Sequence, residues 1–205
     1  MGRYNYVVEA DIRNFFGNIG NQWIMKMLEL RIEDKAFLKL IMKWLKAGIL
    51  DIDGKVINPI TGCPQGSIVS PILANIYLHY ALDLWFEKIV KPACNGEAYI
   101  CRLADDFICA FNKKGDAERF YKVLGKRLGK FKLELAEEKT NILLFSRFKK
   151  EGSKSFEFLG FEFRWGVSLK GKDIITRRTS RDKLRKSIKA FSLWCKKIVI
   201  RKLKG

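Results

Sequence analysis

An α+β fold is predicted by three features of this 205-residue sequence. Tyr4–Ile12 alternates like a half-buried strand, residues 67–90 are apolar on most sides like a central helix, and two β-prone runs flank a tight turn at Ala104–Asp106. The length suits one domain, or one domain with an appendage.

Each element follows from its own pattern. Tyr4, Tyr6, Val8, Ala10 and Ile12 share one face of the first strand, and Asn5, Val7, Glu9 and Asp11 share the other. That leaves Asp11 on the open face. Asn21–Ile32 and Asp34–Ala47 have helical spacing, with Asn21 and Asp34 as N-caps and Gly48 just past the second helix. A hairpin is predicted at Ile49–Ile57, turning at Asp53-Gly54. The Gly/Pro-rich loop NPITGCPQGS (58–67) then delivers the chain into the apolar helix. Glu97–Leu103 and Phe107–Phe111 are strands, Asp116–Phe131 is a helix with a basic outer face, and Asn141–Phe145 is a short strand. Ser155–Trp165 and Val167–Ile175 form a second hairpin. From Ser180 to about Leu203, Leu184, Ile188, Phe191, Cys195 and Ile198 mark one stripe of an amphipathic helix.

Charge narrows the partners. Forty Lys and Arg against 22 Asp and Glu give a net charge of +18, which points to a polyanion, nucleic acid before anionic membrane. Residues 176–205 hold 12 basic residues and one acidic, +11, leaving +7 for the first 175. The carboxy-terminal helix is therefore the strongest candidate polyanion-binding element, with a solvated helix face as the alternative. Five cysteines form no CxxC pair, and several lie in apolar runs, as free thiols do in a reducing cytoplasm. His79 is the only histidine and sits in an apolar stretch, where a core histidine is expected. Zinc chemistry and Ser-His or Cys-His catalysis are thereby disfavoured. MGRYNYVVEADIRNFF has no uninterrupted apolar stretch of the kind that opens a secreted chain, and the longest uncharged run, 56–82, is broken by Pro59, Gly62, Pro64, Gly66 and Pro71. No membrane association is expected.

Within this basic chain, YICRLADDFICA (99–110) sets two aspartates side by side between apolar strands. Asp is common in turns, but adjacent carboxylates held rigidly need a cation, either a lysine or a hard divalent metal with oxygen ligands. Asp11 supplies a third carboxylate from another strand. Three aspartates around two magnesium ions about 3.5–4 Å apart align a hydroxyl nucleophile and stabilise a leaving pyrophosphate.

DIRNFFGNI (11–19), GCPQGSIVSPILANIYLHYALD (62–83), RLADDF (102–107), LELAEEKTNI (133–142) and FEFLGFEF (156–163) occur in the order of the successive reverse transcriptase motifs. Over roughly residues 4–175 the chain resembles that family, most of all its group II intron-encoded maturase branch. The resemblance implies the palm of a right-hand polymerase, a small antiparallel sheet backed by helices, over 1–175, with 176–205 starting a thumb or maturase domain. It implies an RNA-directed DNA polymerase that transfers a nucleotide from dNTP to a primer 3′-OH on an RNA template, with a DNA or RNA primer and intron RNA as partner. A splicing factor that binds intron RNA without polymerising is the alternative.

The same resemblance assigns roles. Asp11, Ile12, Asp105 and Asp106 hold two Mg²⁺, for which Mn²⁺ can substitute, and Lys139 protonates the leaving pyrophosphate. Phe15, Phe16, Pro64, Gln65 and Gly66 face the incoming nucleotide, with Phe16 as the steric gate under the sugar and Phe15 expected in the core. Leu159 and Gly160 grip the primer end, and Arg177, Arg178, Arg181, Lys183, Arg185 and Lys186 hold nucleic acid. Leu103 departs from the family, which has Tyr there, and this implies altered fidelity or rate before lost metal binding. Only ten residues precede Asp11, so the fingers are expected from another segment or a partner chain. A bacterial or organellar cytoplasm is the expected compartment.

Overall fold

The structure, a computed structural model, describes residues 4–46, 49–50, 56–57, 69–148 and 152–202. The chain forms two compact units, Met1–Leu144 and Phe145–Gly205.

In the first unit, strands β1 (Tyr6–Ala10) and β2 (Ile12–Arg13) lead to helices α1 (Phe15–Asn18), α2 (Asn21–Glu29) and α3 (Lys35–Lys46). Strands β3 (Ile49–Leu50) and β4 (Val56–Ile57) pair with each other. The apolar run forms α4 (Ser70–Leu78), π-helical turns at His79–Asp83 and Phe86–Val90, and α5 (Lys91–Ala93). Strands β5 (Ala98–Leu103) and β6 (Asp106–Phe111), helix α6 (Lys114–Gly129), strand β7 (Glu134–Leu135), a 3₁₀ turn at Glu137–Lys139 and strand β8 (Asn141–Leu144) complete it. The principal sheet is four-stranded and antiparallel, in the order β5-β6-β1-β8.

Alternation decides which face of that sheet is buried. Ala10 and Val8 of β1 stand opposite Phe107 and Cys109 of β6 on the core side. Glu9 stands opposite Ile108 on the other side, both only partly covered. The helical run and α6 pack against the core face through Tyr77, Leu82, Phe86, Phe120 and Leu124, all buried. Rings of Phe86, Phe111 and Phe120 meet at centroid distances of 5.3–6.1 Å, in the range where aromatic pairs attract. Small antiparallel sheet and backing helices are the α+β palm architecture expected of the sequence.

Local differences have physical reasons. Asp34 caps α3, accepting the Ala36 and Phe37 N–H groups at 2.8 and 3.1 Å. Asn21 does not cap α2: it is the first helical residue, Gly20 is the cap, and the Asn21 Oδ1 is buried without a partner among the described residues. The apolar helix is not uniformly α. The carbonyls of Tyr80 and Ala81 within the first π stretch accept from Arg127 at 3.0 and 2.8 Å. Burial lowers the Arg127 guanidinium pKa. His79 is not a core residue. It is about half exposed, and its Nδ1 lies 3.8 Å from the Asp83 carboxylate. Cys94, Cys101, Cys109 and Cys195 are free thiols, but only Cys109 is fully buried, and burial pushes its pKa up. Asp116 is buried beneath the loop before β5. Burial opposes its ionisation, yet N–H donors of Asn95 and Gly96 and the Arg119 guanidinium hold its pKa below the usual carboxylate value.

The second unit is a three-stranded meander, β9 (Phe156–Phe158), β10 (Phe161–Val167) and β11 (Asp173–Thr179), followed by helix α7 (Arg181–Lys202). The single strand expected at Ser155–Trp165 is broken at Leu159-Gly160. Their φ values of 53° and 80° fold β9 back onto β10, as in the turns that suit two-residue hairpins. Phe145, Phe156, Phe163 and Trp165 stack beside one another in this unit. On α7 the stripe of Leu184, Ile188, Phe191 and Ile198 is exposed. Gly48, the Asp53-Gly54 turn, the loop 58–67 and Cys63 lie outside the described residues. No described helix is long and apolar enough to cross a membrane.

Tyr77 joins three segments of the first unit. Its hydroxyl donates to the Phe131 carbonyl at 2.6 Å and accepts the Gly20 N–H at 3.4 Å, and burial pushes its pKa up to about 12. Tyr77→Phe leaves both backbone groups short of a partner. Urea unfolding of the chain is expected to show a loss of about 1–3 kcal/mol.

Candidate functional site

The site is built on strand register. Ala10 pairs with Phe107, the last pair between β1 and β6, and Leu103 pairs with Asp106 to close the β5–β6 hairpin. Asp11 directly follows Ala10 and Asp106 directly precedes Phe107, so both lie at that end of the pairing. Because Glu9 and Ile108 face away from the core, Asp11 and Asp106 share that open face. Asp11 has a side chain 33% exposed, and Asp106 is exposed. Neither is turned into the apolar core.

Asp105 is not in a strand. It is the second of two turn residues, after Ala104 at φ 55°. A positive φ at the first central position is a place for glycine, so Ala104 holds the turn under strain of about 1–3 kcal/mol. Arg102 braces it: one Nη1 donates to the Ala104 carbonyl at 2.8 Å and to Asn75 Oδ1 at 2.9 Å. Its Nε and Nη2 grip both oxygens of Asp83 at 2.8 and 2.5 Å.

A second segment is stitched to Asp11. The Asp11 carbonyl accepts the Ala136 N–H at 2.9 Å, and Ile12 pairs with Leu135. Arg13 bridges Glu134 and Glu138 at 2.7 and 2.8 Å, which raises its own pKa, chiefly through the Glu138 hydrogen bond. These links bring Lys139 onto Asp11, Nζ to Oδ2 at 2.7 Å, and the hydrogen bond to that carboxylate raises the lysine pKa. The carboxylates thus collect at one end of the sheet with a lysine as counter-charge. Among the described residues no three carboxylate, His or Cys side chains are drawn into a set that could hold a metal ion, and Asp11 is engaged by Lys139. The donor chemistry still suits a hard divalent cation: oxygen ligands on rigid elements, with no sulfur or imidazole.

The other expected residues fall as follows. Ile12 has a buried side chain, so only its main chain could serve a metal. Phe15 is 2% exposed in the core, while Phe16 on α1 is only partly buried and packs edge-on against it at 5.3 Å. Pro64, Gln65 and Gly66 lie outside the described residues. In the second unit, Leu159 and Gly160 form the β9–β10 turn, and the Gly160 carbonyl accepts the Ser180 N–H at 2.9 Å. The Lys183 stem packs so closely on Gly160 that an added Cβ would lie 2.7 Å from it. Arg178 is committed to Glu162 at 2.6 Å, and with Ser155 it lowers the Glu162 pKa, so its charge is already matched. Arg177 lies 5.0 Å from the Phe161 ring centroid. Arg181, Lys183, Arg185 and Lys186 fall on the first turns of α7.

Sequence reasoning missed Arg102, Asp83, Asn75 and Arg13. A signal was present for two of them, a lone Arg in an apolar strand and a lone Asp in an apolar helix, because a charge in such a setting needs a partner.

A reverse transcriptase (RNA-dependent DNA polymerase) family matches residues 1–163. The "Putative COX1/OXI3 intron 1 protein" of Saccharomyces cerevisiae is 39% identical over 91 residues, 44% of this chain and 11% of that protein. The "Group II intron-encoded protein LtrA" of Lactococcus lactis subsp. cremoris is 42% identical over 79 residues, 38% of this chain and 13% of that protein. The chain spans about a tenth of the length of these relatives. Among solved structures, apo telomerase from Candida tropicalis, truncated from its C-terminal domain, superposes with a TM-score of 0.62 at 15% identity, over 83% of this chain and 35% of that one. At that identity the likeness concerns the fold.

The strained turn makes its own prediction. Ala104→Val puts a β-branched residue at φ 55° and is expected to cost about 1–3 kcal/mol in urea unfolding, whereas Ala104→Gly is expected to cost nothing.

Proposed function

The chain belongs to the reverse transcriptase (RNA-dependent DNA polymerase) family and is similar to group II intron-encoded proteins; on that premise we propose that it is the palm of an RNA-directed DNA polymerase that extends a primer 3′-OH with dNTPs. The observation that supports this most is the meeting of Asp11 and Asp106 at one end of neighbouring strands, with Asp105 in the adjoining turn.

Asp11, Asp105 and Asp106, with the Ile12 main chain, would hold Mg²⁺ or Mn²⁺. Bound there, the metal pair supplies charge stabilisation for the attacking and leaving oxygens. The chain's own groups do the rest. Lys139, whose ammonium pairs with Asp11 at 2.7 Å, would be the cation placed to donate a proton to pyrophosphate. Phe16 limits space at the sugar C2′, and the Pro64-Gln65-Gly66 loop contacts the nucleotide. The Leu159-Gly160 turn holds the primer end. Arg177, Arg181, Lys183, Arg185 and Lys186 hold backbone phosphates; Arg178 contributes less, being neutralised by Glu162. Residues 1–175 act as palm and 176–205 as a thumb element.

Primer extension on an RNA template with Mg²⁺, dNTPs and the fingers segment supplied tests this. Asp105→Ala is expected to lower incorporation by about a thousandfold or more. Extension that survives the substitution would show that other groups do the chemistry.

A second function, binding intron RNA to assist splicing, is supported by α7, whose only acidic residue is Asp182. With about six phosphates contacted, log K is expected to fall with log salt at a slope near −5, and Asp105→Ala is expected to leave RNA binding unchanged. Filter binding across a salt series measures it, and a flat response rejects the electrostatic mode.

A further inference from the structure

Resting on the polymerase function proposed above, we infer that Arg102 is a positioning residue: its guanidinium, fixed by Asp83 and Asn75, holds the Ala104-Asp105 turn in the strained form that presents Asp105 and Asp106 to a divalent cation.

The observation behind this is a charge where the fold does not need one. Arg102 pairs with Phe107 across the β5–β6 ladder, on the face that Ala98 and Ile100 turn to the core. Its side chain is 11% exposed and that of Asp83 is 27% exposed. An ion pair so covered recovers its desolvation cost poorly, and an apolar pair would stabilise at least as well. What an apolar pair cannot do is bond to a carbonyl in a defined direction. Three nitrogens of the planar guanidinium are engaged, and one bond ends on the carbonyl of the residue that carries the strain.

The helix is built to supply the anchor. Asn75 and Asp83 are eight residues apart, which in an unbroken α-helix sets them about 80° apart around the axis. The π-helical stretch His79–Asp83 winds less per residue and brings Asp83 toward the face of Asn75, so that one guanidinium reaches both. Arg127 donates to two carbonyls of this stretch. Arg127, the π turn, Asp83, Arg102 and the aspartate turn therefore form one continuous chain of contacts.

The test is Mn²⁺ titration of the 205-residue chain followed by electron paramagnetic resonance, with thermal unfolding in parallel. Asp105→Ala defines the Mn²⁺ bound at the aspartates. Arg102→Lys keeps the charge but cannot reach Asp83, Asn75 and Ala104 together. It is expected to weaken that Mn²⁺ binding by about tenfold or more, with an unfolding midpoint within a few degrees of wild type. Asn75→Ala, which leaves the ion pair intact, is expected to weaken it in the same direction and carries the test if Arg102→Lys does not fold. Wild-type Mn²⁺ affinity in both variants would overturn the role of Arg102 while leaving the polymerase function standing. Absence of any Asp105-dependent Mn²⁺ binding in wild type would overturn the metal site itself, and the positioning role with it.

Discussion

The register between β1 and β6 is the constraint on which the rest of this structure depends. Pairing Ala10 with Phe107 fixes Asp11 and Asp106 at the same end of the sheet. A slip of one residue would turn Val8, Ala10 and Ile12 to the open face and Asp11 toward the core. The apolar alternation of β1 and β6 is thus both the reason the sheet packs on Tyr77, Phe86 and Phe120 and the device that gathers carboxylates at one end of it. Packing and site geometry are the same property seen from two faces.

Gathering acidic groups has an electrostatic consequence, which the chain answers from two sides. Lys139 neutralises Asp11 from the segment tied to β2, and Arg102 braces the turn from the core side through Asp83. The two cations differ in kind. Lys139 is exposed, and an exposed pair is weakly held. The guanidinium of Arg102 is covered and bonded at every edge, which makes it part of the scaffold.

The second unit carries a separate logic. Its meander packs four aromatic rings, and its helix begins where Ser180 bonds back to the Gly160 carbonyl. The left-handed Leu159-Gly160 turn and the start of α7 are therefore coupled within that unit, and the Lys183 stem fills the space that only a glycine leaves.

Much was legible in the sequence because it is local or periodic. The strand leading into Asp11, the helical spacing of 34–47 and the Asp34 cap appear as expected, and five ordered motifs led to the family that the chain belongs to. The strand is Tyr6–Ala10, however, and Val7, expected on its open face, is buried. Other features depend on neighbours distant in the chain. His79 lies in an apolar helix, yet it is exposed, because it continues the face on which Ile72 and Asn75 of α4 are already exposed. The break at Leu159-Gly160 lies within a run whose composition suits one strand.

By itself the sequence determined the α+β class, the strand that leads into Asp11, the hairpin around the aspartate turn, the basic tail and the family, since these follow from side-chain period, composition and motif order. Asp106 falls in β6 and not in the turn. Only the tertiary structure decided that Lys139 meets Asp11 across 128 positions of chain and that Arg102 joins Asp83, Asn75 and Ala104. The reason is that directional bonds between charged groups depend on where packing sets their backbones, and no local pattern encodes that distance.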